Sequence, residues 1–346
     1  MALKRIGIDV EIVDAVEIDK YAIASFNAIH NTNFETQDIT LWDKHLKDID
    51  LITHGSPCQD FSIAGKQDGG DIGSGTRSSL MYETIRIVGQ VRPKYILWEN
   101  VKNILSQKHK HNFDNYINTL NALGYNSYYQ VLNAKDYGIP QNRERVFTIS
   151  IRKDIDRENF EFPKKEELKL RMKDMLEDNV EEKYYLKKTN NLVLGETKVS
   201  WDNSGKGYGS QQDRAYYQNG LCPALSSCNC NGDKSQVALI DKIIYEQPLD
   251  RKGWHNKACE VLNINGITTC IHTQSNNLLQ KIKEEKTLKI RKLTPKECWR
   301  LMGFKDEEFE KAKNIPTSNT QLYKQAGNSI VVNVLEKVFQ NLFKEK

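Results

Sequence analysis

Apolar and polar positions alternate with two different periods in the first part of the chain. Short apolar runs at residues 11–18, 49–53 and 94–98 are typical of buried strands, and the helical spacing of apolar residues between them predicts amphipathic helices. Two further runs, at 128–132 and 146–151, predict a pair of strands that could form an antiparallel edge. Strands that alternate with helices predict a mostly parallel sheet with helices on both faces.

The pattern changes near Arg152. Residues 164–188 are dominated by Lys, Glu and Asp, and residues 201–234 are rich in Gly, Ser, Asn and Gln with little periodicity. A helix that opens at Thr294 and a final amphipathic helix then restore the helical pattern. We therefore predict three parts: a first lobe of residues 1–152, a smaller irregular lobe of residues 153–290, and a connecting segment with a C-terminal helix, residues 291–346, that returns to the first lobe.

Composition narrows the class of protein without identifying it. The 346 residues are 38% hydrophobic and 28% charged, which is typical of a globular chain and not of a disordered one. The net charge of +4 is compatible with nucleic acid but too small to indicate it alone. No apolar run reaches the roughly 20 residues of a membrane helix. The odd count of seven cysteines and the absence of an export signal predict a cytoplasmic protein with reduced thiols and no membrane partner.

One cysteine stands in a tight loop directly after the second apolar run. The loop reads Gly-Ser-Pro-Cys-Gln-Asp-Phe-Ser from Gly55 to Ser62, with the cysteine at position 58. Chemistry in open α/β sheets gathers at the carboxyl ends of the strands, and a cysteine there is nucleophilic where its thiolate is favoured. An isolated cysteine is more often a buried structural residue, so the neighbouring segments must show whether this cysteine is structural or nucleophilic.

Charged residues also flank the later predicted strands. Glu99 stands where the run at 94–98 ends, and Arg143 and Arg145 alternate on entry to the last strand, so that they share one face of an extended segment. Each of these charges alone is more often a solvated surface residue. Their joint placement beside Cys58 favours a common site.

Five ordered motifs resemble those of the cytosine-5 DNA methyltransferases of bacteria and phages. The match extends from residue 11 to the carboxy terminus. The probability that all five motifs occur in this order by chance is very small. The resemblance implies an S-adenosylmethionine-dependent, Rossmann-like α/β fold with a catalytic first lobe and a target-recognition lobe at 153–290. The motifs are Pro57 to Gln59, Glu99 to Val101, the Gln-x-Arg-x-Arg of Gln141 to Arg145, Arg291 to Phe304, and Gly327 to Ser329.

The resemblance also implies the reaction. Members of this family add a cysteine thiolate to carbon 6 of cytosine so that carbon 5 can accept a methyl group, and the target nucleotide must first be rotated out of the duplex. In this chain Cys58 would be the nucleophile and Gln59 would accompany it. Glu99 would supply a proton or hydrogen bond at N3 of the base. Arg145 would hold O2 of the base, and Arg143 would support the cleft and the backbone phosphates.

The implied cofactor is S-adenosyl-L-methionine, without a metal. The family's Phe-x-Gly-x-Gly loop would precede the segment from Ala2 to Ile8 and is absent from the sequence. We therefore expect the chain to lack a central strand and to bind the cofactor weakly. Glu17 matches the carboxylate that binds the ribose hydroxyls, and Asp38 and Ile39 match the pair that contacts adenine. Further cofactor contacts fall on Pro57, Leu80, Asn328 and Ser329.

The implied partner is double-stranded DNA, read by a monomeric enzyme, and the resemblance also implies a functional and not a physical association with a cognate restriction endonuclease. The DNA-facing candidates are Gln141, Ser62, Ala224 and Leu225. The segment from Pro223 to Ser227 resembles the Thr-Leu segment that the family places near the flipped base, with Ala224 where the family has Thr. The family's known role is in restriction-modification or in phage self-protection.

Three alternatives stay open at this point. The cysteines and histidines of the second lobe invite a zinc site, but they lack paired Cys-x2-Cys spacing, which favours ordinary packing. The missing cofactor loop would suit a truncated, catalytically impaired DNA-binding protein. The tRNA methyltransferase branch of the same fold carries a Cys-Phe-Thr motif that this chain lacks, and the long second lobe favours DNA.

Overall fold

The computed structural model describes residues 1–57, 61, 71, 75–185, 193–194, 198–200, 214–217, 220–225, 238–242 and 289–343. Cys58, Gln59 and Ser62 lie outside these residues.

A four-stranded sheet organises the first lobe. The strands of this lobe are β1 (Leu51–His54), β2 (Tyr95–Val101), β3 (Tyr125–Asn133), β4 (Gln141–Asn142) and β5 (Glu144–Arg152). The sheet order is β1-β2-β5-β3, in which β1 and β2 are parallel and β5 is antiparallel to both of its neighbours. Three strands therefore run in one direction, and the expected antiparallel pair at the sheet edge is confirmed as β5 with β3. The register places Glu99 opposite Phe147 and Val101 opposite Arg145.

The strand expected at residues 11–18 does not form, so that prediction was wrong. The structure assigns no strand there, and the backbone N–H of Gln37 donates to the carbonyl oxygen of Glu17 across 2.9 Å. β1 pairs with β2 on one side, and no strand within the described ranges lies on its other side. An apolar run needs a continuous ladder of backbone hydrogen bonds to become a strand, and residues 11–18 pair with no strand in the described part of the chain.

Helices cover both faces of the sheet. The helices of the first lobe are α1 (Ala2–Arg5), α2 (Lys20–His30), α3 (Met81–Val91) and α4 (Lys110–Ala122). The side chain of Asp19 caps α2 by accepting from the backbone N–H groups of Tyr21 and Ala22. The α3 helix ends at Arg92, which has a φ of +54°. Short 3-10 turns occupy Ile39–Leu41, Arg77–Leu80, Lys102–Leu105 and Ala134–Tyr137.

Two apolar clusters lie on opposite faces of β2. Ile96 and Trp98 belong to a cluster with α3 and α4, whereas Leu97 belongs to a larger cluster with the C-terminal helices. Neighbouring residues of a strand point to opposite faces, so a strand buried on both sides has apolar residues at consecutive positions. This explains why residues 94–98 were identifiable as a buried run. None of the described helices has the length and apolar character required to cross a membrane.

The C-terminal segment packs on the first lobe. It contains α5 (Pro295–Arg300), α6 (Asp306–Lys313), α7 (Asn319–Asn328) and α8 (Val332–Leu342). Val338 and Phe339 are buried in the same cluster as Leu97. Arg5 of α1 also forms ion pairs with Glu308 and Glu336.

The second lobe contains short strands, and one of them pairs with a strand of the first lobe. Its strands are β6 (Val193–Leu194), β7 (Lys198–Ser200), β8 (Arg214–Tyr217), β9 (Cys222–Pro223), β10 (Ala238–Lys242) and β11 (Lys289–Lys292). Five of them form a sheet in the order β11-β10-β8-β7-β6, while β9 pairs with β4 in parallel. Gln141 is thereby placed opposite Cys222, which joins the second lobe to the first.

Candidate active site

Glu99 lies near the carboxyl end of β2 and is almost fully buried, with 8% of its surface exposed. Its Oε1 lies 3.1 Å from Nε of Arg145, and the same oxygen has no hydrogen-bond partner among the described residues. Burial raises the pKa of Glu99 above its ordinary value, although Arg145 and Arg143 act in the opposite direction. The carboxyl group is therefore suited to hold a proton.

The strand end that leads to Cys58 lies against Glu99. A Cβ placed on Gly55 would be 3.8 Å from Oε2 of Glu99. Gly55 is three positions before Cys58 in the sequence. The chain therefore enters the Cys58 loop beside the buried carboxyl group.

Side chains from two other elements hold the start of this loop. The indole Nε1 of Trp98 donates to Oγ of Ser56 across 2.9 Å, and Nδ2 of Asn100 lies 3.3 Å from the same oxygen. The hydroxyl of Ser78 donates to the carbonyl oxygen of Pro57 across 2.9 Å. Pro57, a predicted cofactor contact, is thus fixed through its backbone. Sequence reasoning missed Ser56 and Ser78, and the only available signal was the buried indole N–H of Trp98, which requires an acceptor.

Arg143 lies between β4 and β5 with 4% of its surface exposed. Its guanidinium donates to the carbonyl oxygens of Leu225 at 2.9 Å, Gly327 at 2.8 Å and Ser329 at 3.1 Å. These carbonyls come from the second lobe and from the end of α7. The three bonds point the guanidinium into the interior of the protein, so the predicted phosphate contact is not available in this arrangement and the role of Arg143 in supporting the cleft stays a prediction.

Arg145 is more accessible than Arg143. Its side chain is 18% exposed, and its Nη1 donates to the carbonyl oxygen of Glu144 across 2.8 Å. A cavity of about 10 Å³ borders Arg145, Glu99 and Arg143, with apolar residues of β3, β5 and α8 closing its other sides. That volume accommodates about one water molecule. Two arginines and a buried carboxyl group thus border the same cavity.

Two of the predicted cofactor segments lie beside each other. Glu17 is exposed and precedes the cap of α2, and the bond from Gln37 N–H to its carbonyl oxygen brings the Asp38 segment beside it. The Nη2 of Arg86 on α3 donates to the carbonyl oxygen of Ile39 across 2.9 Å. Hydrogen bonds from Thr40 lower the pKa of Asp38 and keep it anionic.

The end of α7 is fixed to α2 on the same side. Nε2 of Gln325 donates to the carbonyl oxygen of Tyr21 across 3.0 Å, and Lys324 forms an ion pair with Asp19. Asn328 is exposed, while Ser329 and Leu80 are partly buried. The helix contacts therefore bring the Gly-Asn-Ser turn toward the α2 side of the fold, where Glu17 lies.

The predicted DNA-facing residues differ in how deeply they are buried. Gln141 is completely buried, and its Nε2 donates to the carbonyl oxygen of Leu301 across 3.0 Å. The expected DNA contact of Gln141 is therefore not available in this arrangement, because β4 is covered by β9 and by the C-terminal segment. Ala224 is partly buried, and Leu225 is buried with its carbonyl on Arg143. In the zinc alternative, Cys222 is a buried free thiol, and the other proposed ligands lie outside the described ranges.

Comparisons with known proteins identify the family. The profile of the C-5 cytosine-specific DNA methylases matches residues 1–344. The type II methyltransferase M2.ScrFI of Lactococcus lactis subsp. cremoris is 40% identical over 88% of this chain and 69% of its own length. The orphan methyltransferase M.SPBetaI of Bacillus phage SPbeta is 33% identical over 99% of this chain and 94% of its own.

Solved structures confirm the class of fold. The S. pombe Dnmt2 methyltransferase superposes with a TM-score of 0.62 at 20% identity, covering 99% of this chain and 93% of the other. The expected Rossmann-like α/β methyltransferase fold is therefore confirmed. The family profile, the bacterial and phage relatives and the ordered motifs all indicate the same family. The chain belongs to the C-5 cytosine-specific DNA methylase family and is a DNA (cytosine-5) methyltransferase.

Proposed function

We propose that this chain transfers a methyl group from S-adenosyl-L-methionine to carbon 5 of a cytosine rotated out of a specific duplex DNA sequence, through a covalent adduct with Cys58. The observation that carries the proposal is the buried carboxyl of Glu99. Its Oε1 has no hydrogen-bond partner among the described residues, and its Oε2 faces the backbone that leads to Cys58. Among the described residues Oε1 of Glu99 has an ion pair with Nε of Arg145 at 3.1 Å but no hydrogen bond, so a ligand group is expected to bond to it.

Glu99 supports the first chemical step. Its raised pKa favours the neutral acid, which can donate a proton to N3 as the Cys58 thiolate adds to carbon 6. The new S–C bond draws the ring electrons toward N3, and the proton from Glu99 neutralises them. The resulting enamine is nucleophilic at carbon 5.

Arg145 supports binding of the base. Its guanidinium is partly exposed and adjacent to Glu99, so it can donate to O2 while Glu99 contacts N3. Arg143 is the cation behind it, and its three backbone bonds hold the two lobes and the end of α7 in register. We assign Arg143 to holding the cleft together rather than to a phosphate.

The residues around Glu17 fit the adenosine part of the cofactor. Two carboxylates, Glu17 and Asp38, lie on adjacent segments and can accept hydrogen bonds from hydroxyl and amine groups. The side chains of Ile18 and Leu41 are 71% and 80% exposed beside them and offer apolar surface to a purine. S-adenosylmethionine bound there would supply the electrophilic methyl group. After methylation a base must remove the proton at carbon 5, and Cys58 then leaves as the thiolate while N3 returns its proton to Glu99.

A second candidate is a DNA-binding protein with impaired transfer. It is favoured by the finding that residues 11–18, which include the cofactor candidate Glu17, pair with no strand in the described part of the chain. Such a protein would bind duplex DNA and transfer no methyl groups. For the first candidate we propose a role in restriction-modification or in phage self-protection. The test is whether the enzyme protects host DNA from cleavage by an endonuclease that recognises the same sequence.

The decisive comparison uses transfer of labelled methyl groups to duplex DNA. A Glu99→Gln variant should lose about 10²- to 10⁴-fold in rate, because the amide cannot transfer a proton to N3. Glu144→Gln is the matched control, since Glu144 is a nearby carboxylate on β5 that pairs with Lys102 at the surface. Unchanged transfer by Glu99→Gln would contradict the assignment, and no transfer by the unmodified protein would favour the second candidate.

A further inference from the structure

The residue two positions before Cys58 accepts hydrogen bonds from both sequence neighbours of Glu99. Oγ of Ser56 lies 2.9 Å from Nε1 of Trp98 and 3.3 Å from Nδ2 of Asn100. Trp98 and Asn100 point to one face of β2, and Glu99 points to the other. The start of the Cys58 loop is thus fastened to the same three-residue stretch that carries the buried acid.

The indole of Trp98 is held firmly in place. It is completely buried and lies in contact with three rings. The ring centroids of His54 and Phe113 are 5.9 Å and 5.8 Å from it, in stacked arrangements, and that of Tyr116 is 4.2 Å away. Rotation of the indole away from Ser56 would require displacement of these rings, so its N–H is a fixed donor.

His54, the last residue of β1, is fixed by the same cluster. Its Nε2 lies 2.8 Å from the hydroxyl of Tyr116, and its Nδ1 lies 3.4 Å from Oγ1 of Thr84. Burial lowers the pKa of His54 to about 3, so the imidazole is neutral and can bond to one hydroxyl as donor and to the other as acceptor. The residue before Gly55 therefore cannot shift independently of Trp98.

We infer that Ser56 and Trp98 are a positioning pair for the nucleophile of this enzyme. Their hydrogen bond sets the direction in which the chain leaves β1, and the Ser78 bond to Pro57 fixes the next peptide. Neither side chain contacts the reacting atoms in this assignment. The inference rests on the proposed role of Cys58, and it concerns the rate at which the thiolate reaches carbon 6.

Physical chemistry gives the expected size of the effect. Loss of the Ser56 hydroxyl leaves a buried indole N–H without its acceptor, and loss of the indole N–H leaves the hydroxyl with Asn100 alone. The loop can then leave β1 in more than one direction. A small misplacement of a nucleophile lowers the fraction of near-attack geometry, so a decrease of about tenfold in adduct formation is expected.

The test measures the single-turnover rate of covalent adduct formation with duplex DNA that carries 5-fluorocytosine, together with the dissociation constant for that DNA. Ser56→Ala and Trp98→Phe should each slow the adduct about tenfold without changing DNA affinity. The double variant should be no slower than Ser56→Ala alone, because that variant has already lost the bond to Trp98. Ser56→Thr, which retains a hydroxyl, should restore most of the rate.

Trp299→Phe is the matched control for loss of a buried indole N–H. Nε1 of Trp299 donates to the carbonyl oxygen of Leu322 across 3.0 Å, in the C-terminal segment. This variant should lose stability comparable to that of Trp98→Phe while its adduct rate stays at the wild-type value. Additive losses in the double variant, or a wild-type rate in both single variants, would overturn the inference. An unmodified protein that forms no adduct would instead count against the proposed function, so the two failures are distinguishable.

Discussion

The guanidinium of Arg143 donates a hydrogen bond to the carbonyl oxygen of Leu225 across 2.9 Å. Leu225 belongs to the segment of the second lobe that resembles the base-adjacent loop of the family. The same guanidinium contacts Gly327 and Ser329 at the end of α7, which carries predicted cofactor residues. One buried cation therefore joins the second lobe, the sheet and the end of α7.

Arg143→Lys should be strongly disruptive despite its conserved charge. A lysine ammonium lacks the planar fork that reaches three separate carbonyls, so at least one of them loses its donor. We expect a decrease of about 2 kcal/mol in the free energy of unfolding, measured with urea, and higher KM values for both DNA and cofactor. Arg152→Lys is the control, because Arg152 pairs with Asp154 at the surface and the loss should stay below about 1 kcal/mol. Equal effects of the two variants would show that the Arg143 junction contributes nothing special.

Glu99 should make stability depend on pH in a particular direction. Its pKa in the folded protein is raised by burial above the ordinary value of 4.5, so the folded state binds its proton more tightly than the unfolded state. Stability from this group is complete below 4.5 and is lost as pH rises through the folded pKa. Relative to wild type, Glu99→Gln should therefore gain stability as pH increases across that window. Urea denaturation at several pH values tests this, and a loss of stability by Glu99→Gln relative to wild type as pH rises would refute the raised pKa.

The ion pair of Arg291 and Glu297 should be a major support of the junction between β11 and α5. The two side chains are 1% and 0% exposed and 2.8 Å apart, and Glu297 also accepts from the backbone N–H groups of Glu177 and Thr294. Glu297→Gln should cost about 3–5 kcal/mol in unfolding free energy, because it leaves a buried cation without its counter-charge. Glu310→Gln, which removes a surface partner of Lys296, should cost less than about 1 kcal/mol. A small loss for Glu297→Gln would mean that the pair is solvated.

Glu17 should contribute to cofactor affinity and not to DNA affinity. Glu17→Gln removes a charged acceptor for ribose hydroxyls, and we expect S-adenosylmethionine to bind about tenfold more weakly by calorimetric titration. Glu11→Gln is the control, since Glu11 is an exposed carboxylate on the same segment. If both variants bind the cofactor as wild type does, Glu17 is not a ligand.

Sequence periodicity located the strand that is buried on both of its faces. The run at 94–98 became the buried strand β2 because both of its faces are covered by apolar side chains. The run at 11–18 had the same appearance but no strand beside it in the described residues, and periodicity carries no information about a partner.

The single residues of the site also show what local sequence pattern can and cannot predict. Alternation placed Arg143 and Arg145 on one face of an extended segment, and Nε of Arg145 lies 3.1 Å from Oε1 of Glu99. It did not reveal that Gln141 and Arg143 are buried, because their burial depends on β9 and on the C-terminal segment, which are distant in sequence. Long-range contacts of this kind are fixed by packing and not by local pattern.

The most direct test of the account is covalent capture of the target base. Duplex DNA that contains 5-fluorocytosine at the methylated position should become attached to the enzyme in the presence of S-adenosylmethionine, because fluorine at carbon 5 blocks the final elimination. Peptide mapping should find the adduct on Cys58, and Cys58→Ser should bind the same DNA without forming it. An adduct on another residue, or methyl transfer by Cys58→Ser at the wild-type rate, would contradict the account.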